Sequence, residues 1–215
     1  MTHAVGVGPV VREQNSPITQ LHPPGVADVC AQAVIADHDL CGVIRIGTGI
    51  RQLCFDQDQN WCPTVLNNGR VLYTRWEYSD TPHYFTRLLF HMNPDGSGLE
   101  LLYGAQSHDT GTNGDTIQFT QPRQLEDGTL MALIRPFTNS EGGGELITID
   151  TIQYLENTQP TAPNIGVLAG PAQADATINE VLTQAGPSPG GRYGSAYPIQ
   201  DGTGRLLVSW SQCRL

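Results

Sequence analysis

The chain of 215 residues contains no apolar run near the ~20 residues that a helix needs to cross a bilayer. We therefore predict no transmembrane segment. The first residues, MTHAVGVGPVVREQ, lack a basic region followed by a long apolar stretch, so no signal peptide is visible in them.

Basic residues are scarce as well. The sequence has 11 Lys and Arg against 21 Asp and Glu, which gives a formal net charge of −10 at pH 7. Because no Lys/Arg cluster is available to neutralise phosphates, we expect no nucleic-acid partner. The acidic balance itself is typical of a solvated protein surface.

Catalytic motifs are also missing. No histidine pair forms H-x-x-x-H or H-E-x-x-H, and neither GxxxxGK[ST] nor a GxGxxG after a strand occurs. Ser188 satisfies G-x-S-x-G formally, but a nucleophile elbow needs a strand-to-helix turn, and prolines flank this serine on both sides. We predict no catalytic residue, no cofactor-binding residue and no cofactor, and leave a metal ligand unknown.

Glycine and proline are what the chain has in quantity, with 24 Gly and 15 Pro and few strong helix-forming runs. This composition favours an all-β fold with many turns, and the length suffices for one domain with a buried core. The clearest hairpin joins Pro63–Leu66 to Arg70–Trp76 through the turn Asn67–Gly69. Two further strands and the turn between them are predicted at Leu88–Met92, Leu99–Tyr103 and Asn93–Gly96.

The hairpin pattern recurs along the chain. Glycine stands six residues after proline in three segments that begin at Pro63, Pro122 and Pro198, at intervals of 59 and 76 residues. A second element, Gly49–Leu53 (GIRQL), recurs as Gly98–Leu102 (GLELL). Such units are typical of the blades of a β-propeller, each a four-stranded meander that must stack on its neighbours. An ordinary β-rich protein with several Asp-Gly hairpins is the alternative.

We therefore predict a partial β-propeller of about three blade-like, antiparallel four-stranded units over residues 28–215, after an irregular segment at 1–27. Since closed propellers need four or more blades, we expect a piece of a larger ring with an exposed apolar blade face. Within the domain we predict a polar insertion at 104–121 and a strand at Glu145–Asp150. For residues 176–184 we favour a strand over a short helix.

The five cysteines are an odd number, which cannot all pair within one chain. Cys54 and Cys62 end neighbouring segments on either side of a loop, which makes them one candidate pair. Cys30 with Cys41 is the other candidate, and Cys213 is left over. Free thiols buried in a β core are the alternative.

One loop has partial metal-ligand character. Asp56, Asp58 and Asn60 show the alternate oxygen spacing of a calcium loop, but an EF-hand needs Gly and Glu where this chain has Trp61 and Asn67. We therefore favour a solvated loop between strands, with a calcium site of another type at a blade loop as the alternative.

Histidines and aromatics supply the other candidates. His83 and His108 fall in loops between strands, where propeller sites are assembled, whereas His91 lies on a predicted strand and His38 lies between two aspartates. The aromatic residues that cluster within 25 positions are Trp61, Trp76, Tyr78, Tyr84 and Phe85. Such rings either fill the space between blades or line a carbohydrate or peptide groove.

Two stretches carry a resemblance to known families. The run from Met92 to Leu102 (MNPDGSGLELL), with Pro63-x-x-Leu-x-x-Gly69 before it, resembles the TolB-type propeller repeat. Residues 51–76 and 89–96 are similar to bacterial proteins related to the middle domain of the hydrazine synthase alpha subunit. Segments that resemble later blades of the same proteins are Gly191–Pro198 and Leu207–Cys213.

The resemblance covers about residues 42–215 and is strongest from 51 to 103. It implies a β-propeller exported to the periplasm or the cell surface. It does not imply hydrazine synthesis, because that synthase subunit carries c-type haem attached through C-x-x-C-H. No such motif occurs here: Cys54 and Cys62 are eight positions apart, with no histidine following.

The resulting functional hypothesis is a non-catalytic, extracytoplasmic propeller segment that binds or scaffolds a protein or a small molecule at the propeller face. Whether the protein is an enzyme is left open, with the non-enzyme interpretation favoured. The alternative is part of a redox or hydrolytic enzyme whose active site is completed by residues outside this chain.

Overall fold

The computed structural model describes residues 32–36, 39–43, 51–55, 59–76, 87–137 and 143–212, with side chains from Gln52 onward. Within these ranges the fold is all-β, interrupted only by two 3-10 helices of three residues each, Thr112–Gly114 and Ala162–Asn164. No helix in the described ranges is long and apolar enough to span a membrane. The predicted irregular segment at 1–27 lies outside them.

The described strands form antiparallel sheets that follow one another along the chain. The first sheet contains β1 (Gln32–Ala36), β2 (Asp39–Val43) and β3 (Arg51–Gln52). Blade 1 contains β4 (Asn60–Val65), β5 (Val71–Trp76), β6 (Arg87–Met92) and β7 (Glu100–Tyr103). Blade 2 contains β8 (Ile117–Gln124), β9 (Leu130–Pro136), β10 (Glu145–Ile149) and β13 (Gln173–Asp175). A separate hairpin, β11 (Tyr154–Glu156) and β12 (Gln159–Pro160), is inserted between β10 and β13. Blade 3 contains β14 (Arg192–Pro198) and β15 (Leu206–Ser211).

The three proline–glycine segments each build the first hairpin of a blade, which confirms the predicted repeat. The glycines of the three turns, Gly69, Gly128 and Gly204, have φ of +82°, +89° and +66°, a region that favours glycine. A side-chain oxygen also closes each turn by accepting a backbone N–H two residues on, as Asp127 does from Thr129 at 3.0 Å. The equivalent bonds are Asn68 to Arg70 at 3.0 Å and Asp201 to Thr203 at 3.1 Å.

The repeat proline has a structural reason in blades 1 and 2. In β4, Cys62 and Pro63 together oppose one residue of β5, and in β8 Gln121 and Pro122 oppose one residue of β9. Both are β-bulges, where proline's missing N–H removes no ladder hydrogen bond. The residue before each proline has a left-handed φ, +52° at Cys62 and +51° at Gln121. In blade 3 the register shift lies earlier, around Gly194.

The sheets stack face to face through alternating side chains. On one face of blade 1, Val71 and Tyr73 belong to a cluster with Phe90. On the other face, Leu72 and Leu89 belong to the cluster that includes β8 and β9 of blade 2. The opposite face of blade 2 packs on β14 of blade 3. The period of two therefore gives blades 1 and 2 two buried faces each.

The first strand of each sheet is the inner one. β1, β4, β8 and β14 each stand at one edge of their sheet, and each contacts the next along the series. The likeness of Gly49–Leu53 to Gly98–Leu102 follows from this order. Both segments supply the last strand of their sheets, β3 and β7.

Two predictions about elements were wrong in detail. The polar insertion ends earlier than predicted, because β8 begins at Ile117, whose side chain is fully buried. Residues 176–184 form neither strand nor helix, since Thr183 and its neighbours bond to the loop at Thr112 instead of to a strand.

The predicted antiparallel four-stranded units are confirmed in blades 1 and 2. Blade 3 has two strands in the described part of the chain.

Candidate functional site

An arginine surrounded by aromatic rings lies where blades 1 and 2 meet. Trp76 is paired with Arg87 across β5 and β6, and Trp61 is paired with Thr74, two positions before Trp76, so these side chains share one face of blade 1. The guanidinium carbon of Arg87 lies 5.2 Å from the ring centroids of Trp61 and Trp76 and 5.0 Å from that of Phe137, which follows β9 of blade 2. We call these four residues the arginine–aromatic cluster.

The electrostatics of this cluster are unusual for an arginine. Burial lowers the pKa of Arg87. The described residues place no carboxylate within ion-pair distance of it, whereas Arg70 pairs with Glu100 at 3.3 Å. The negative faces of the three rings take the place of a counter-charge. The Arg87 side chain is half-buried.

The two described histidines lie in different surroundings. His108, in the loop between β7 and β8, places Nε2 3.5 Å from Oδ2 of Asp109, whose Oδ1 accepts a hydrogen bond from Thr116. His91, on β6, places Nε2 3.1 Å from Glu100. Burial first, and then the charge of Arg70, lower the pKa of His91. No group of three possible metal ligands occurs in the described residues, and His38 and His83 lie outside them.

The predicted calcium loop is described only at its end. Asp56 and Asp58 lie outside the described residues. Asn60 is the first residue of β4, pairs with Arg75 in the ladder and is 1% exposed. Its placement is therefore that of a buried strand residue.

The candidate bond between Cys54 and Cys62 is not formed, because both are free thiols, which is the alternative that the sequence left open. Cys54 is buried in the cluster that contains Tyr73, whereas Cys62 lies on the bulge of β4. Burial raises the pKa of Tyr73 strongly. Cys30 and Cys213 lie outside the described residues, as does the side chain of Cys41.

Ser188 is buried and takes part in a hydrogen bond that stabilises its loop. Its side chain is buried, and its hydroxyl oxygen accepts a hydrogen bond from the backbone N–H of Leu182 at 2.8 Å. The strand β14 follows it, so the strand-to-helix turn of a nucleophile elbow is not formed at this serine.

A buried polar group fastens the β11–β12 insertion to blade 1. Ser107 is fully buried, donates to Glu156 at 2.5 Å and accepts the backbone N–H of Asn157 at 2.8 Å. The Tyr103 hydroxyl accepts a hydrogen bond from Gln173 at 2.9 Å, and burial raises its pKa to about 12. Since Ser107 does not reach solvent, this group holds structure together and is not a site for a ligand.

Sequence reasoning missed two arginines, Arg87 and Arg123. Arg123 lies on the inner strand β8, half-buried, with its guanidinium carbon 6.0 Å from the ring centroid of Tyr197 on β14. The alignment of the three repeats on proline could have indicated this region. The residues that precede the repeat prolines are Cys62, Gln121 and Tyr197, and they occupy equivalent positions on neighbouring strands. For Arg87 no local pattern exists, since its rings come from β4, from β5 and from the residue after β9.

Comparison with known proteins bears on the fold alone. No family model matches the sequence, and no curated protein matches it. Among solved structures, the chain is similar to Kuenenia stuttgartiensis hydrazine synthase, with a TM-score of 0.51 and 20% sequence identity. The match covers 76% of this chain and 18% of that one, so the chain spans less than a fifth of its structural neighbour. The predicted resemblance is confirmed as a related, propeller-like fold, while the TolB-type repeat stays a prediction.

Proposed function

We propose that this chain is a non-catalytic, extracytoplasmic β-propeller segment that binds a protein or small-molecule ligand at the junction of blades 1 and 2. The observation that carries the proposal is the arginine–aromatic cluster, in which one guanidinium contacts three rings at 5.0 to 5.2 Å. Arginine and tryptophan are the side chains that contribute most to binding hot spots.

The side chains of the arginine–aromatic cluster are held in place by packing and still expose part of their surface. Trp61, Trp76, Arg87 and Phe137 are each partly buried, so their rotamers are restrained while part of each surface stays open to solvent. A flat ligand, such as a sugar ring or an aromatic side chain, stacks on exposed ring surface, and a carboxylate or carbonyl accepts hydrogen bonds from the guanidinium. Both features suit a glycan or a peptide.

Binding arrays test this proposal. The full chain is applied to a glycan array and to an immobilised peptide array, and positive spots are measured again with Arg87→Gln. We expect at least a tenfold weaker signal for Arg87→Gln at unchanged melting temperature, because the guanidinium donors are lost. Arg205→Gln is the matched control, since Arg205 lies in the β14–β15 turn and pairs with Asp201. Equal binding by Arg87→Gln and the wild type contradicts the proposal.

The extracytoplasmic location rests on the family resemblance. Fractionation of cells that express the complete gene from its own start tests it. Recovery with the periplasmic or surface fraction is the expected result, and recovery only with a cytoplasmic marker enzyme contradicts it.

A catalytic function is the second candidate, favoured by the pairing of His108 with Asp109 at 3.5 Å. A carboxylate that orients an imidazole is the arrangement used by a general base. Two measurements distinguish the catalytic function from the binding function: the visible absorption spectrum of the complete gene product and its turnover of generic ester substrates. A haem band or a turnover lost in His108→Gln supports the enzyme.

A further inference from the structure

The inner strands of the three blades bring a second group of residues together. Cys62, Gln121 and Tyr197 each precede the repeat proline on β4, β8 and β14, and β8 contacts both of the other strands. Arg123 follows two residues after Gln121 on β8. Its guanidinium faces the Tyr197 ring and interacts electrostatically with Cys62. We call these four residues the axial cluster.

The bulges of β4 and β8 explain why these side chains meet. An extra residue in a strand turns the local backbone and changes the direction of a side chain. Cys62 and Gln121 both take left-handed φ at the bulge, near +50°. Gln121 then donates from Nε2 to the carbonyl of Gly194 at 3.1 Å, which ties β8 to β14 beside the cluster.

Arg123 lacks the kind of partners that Arg70, Arg192 and Arg205 have. Arg70 and Arg205 pair with carboxylates, and Arg192 donates to the carbonyls of Gln184 and Gly186. Arg123 has one hydrogen bond, from Nη1 to the carbonyl of Pro122 at 3.0 Å, and the described residues offer it no carboxylate.

The remaining nitrogen atoms of Arg123 have no hydrogen-bond partner among the described residues, and the side chain is half-buried. Burial lowers the pKa of Arg123, and the nearby Cys62 and Tyr197 oppose this effect in part. The side chain therefore places a positive charge where hydration is poor, with donors and a charge that the described residues leave unpartnered.

We infer that the inner strands bind a small anion, a carboxylate or a phosphate, at Arg123 beside Cys62 and Tyr197. A guanidinium offers paired N–H donors that match two oxygens of either anion. Partial burial strengthens that interaction relative to water. The Tyr197 ring centroid lies 6.0 Å from the guanidinium carbon, and the residue is 42% exposed, so this side of the cluster faces solvent. This site is distinct from the arginine–aromatic cluster, which uses the face between blades 1 and 2.

Cys62 reports on the site, because its thiol is partly exposed and lies within electrostatic range of Arg123. The experiment compares the rates at which iodoacetate, an anion, and iodoacetamide, its neutral analogue, alkylate Cys62 in the full chain. Peptide mass spectrometry reads Cys62 separately from the buried Cys54. We expect the iodoacetate-to-iodoacetamide rate ratio to be roughly three to ten times higher in the wild type than in Arg123→Gln.

Competition identifies the anion. Inorganic phosphate and acetate are added separately, each against sodium chloride at the same ionic strength. Saturable slowing of the iodoacetate reaction by phosphate assigns a phosphate site, and slowing by acetate assigns a carboxylate site. Both effects are expected to disappear in Arg123→Gln.

The controls separate local charge from folding. Arg123→Lys keeps the charge and is expected to retain most of the rate ratio, while Arg205→Gln removes a charge elsewhere and is expected to leave it unchanged. Where Arg123→Gln alters the circular dichroism spectrum, the competition in the wild type and in Arg123→Lys decides. A rate ratio equal in all variants, or slowing no greater than that by sodium chloride, overturns the inference.

Discussion

The first hairpins of blade 1 and blade 3 follow one sequence pattern and end in different environments. In β5, Val71, Leu72 and Tyr73 are at most 1% exposed. In β15, Leu207 and Trp210 are 61% and 45% exposed. Both hairpins are antiparallel, with a left-handed glycine six residues after the proline. A hairpin therefore forms from local rules, whereas its burial depends on what stands beside it.

The neighbours explain the difference. β5 pairs with β4 and β6, and both of its faces are covered. β15 pairs with β14, and the described residues place no strand on its other edge. Blade 3 thus presents apolar side chains of β15 to solvent.

The largest expected effect comes from a matched leucine pair. Leu89→Ala removes a fully buried side chain between blades 1 and 2, and we expect a loss of about 2–5 kcal/mol in the free energy of unfolding. Leu207→Ala, on exposed β15, is expected to change it by about 0.5 kcal/mol or less. Urea denaturation followed by circular dichroism measures both. Equal losses would show that β15 is covered in solution.

The turns are expected to respond alike, because they are local. Gly69→Ala and Gly204→Ala each place a Cβ at positive φ in open space, so only backbone strain of about 1–2 kcal/mol is added. Amide exchange of Leu66, bonded to Arg70, and of Ile199, bonded to Arg205, reads each turn separately. A much larger effect in blade 1 than in blade 3 would mean that the turn geometry depends on tertiary contacts.

A smaller effect tests the bond between blades 1 and 2. The Thr74 hydroxyl donates to the carbonyl of Phe119 at 3.0 Å and is fully buried, so Thr74→Val should cost about 1 kcal/mol in unfolding free energy. Thr148→Val removes a weaker bond, 3.3 Å to Ala174 within blade 2, and is the control with an expected cost near zero. No difference between the two variants would argue that the blades are not held by this hydrogen bond.

The smallest expected effect is a pH dependence of blade 2. Burial, with Asp175 nearby, raises the pKa of Glu145 to about 7. A pKa raised above its unfolded value of about 4.5 favours the protonated form in the native state, so this group's contribution to stability is lost as pH rises from about 4.5 to about 7. Glu145→Gln should flatten that part of the melting-temperature profile. Glu180→Gln, at an exposed carboxylate, should leave the profile unchanged.

Particular residues show how far the sequence predicted the fold. The proline–glycine spacing located all three first hairpins because the turns are closed by bonds over two residues, as from Thr129 to Asp127. The inner strand β8 was missed in part because Ile117 and Phe119 are buried by residues distant in sequence, within a polar stretch. The β11–β12 hairpin was missed because long-range bonds from Ser107 and Gly104 to Glu156 hold it.

The candidate sites were harder to predict for the same reason. The sequence singled out Trp61 and Trp76, and the structure adds Arg87 and Phe137 to them. The sequence left open whether Cys54 and Cys62 pair, because nearness along the chain does not fix the direction of a side chain. The structure has both as free thiols, with Cys62 on the bulge of β4.

By itself the sequence determined the all-β class, the repeated hairpins and their turns, since period-two patterning and Asx-closed turns act within a few residues. Tertiary structure decided which hairpins are buried and which cations meet aromatic rings. Those contacts join residues tens of positions apart, such as Arg123 and Tyr197, and they exist only once neighbouring blades have stacked.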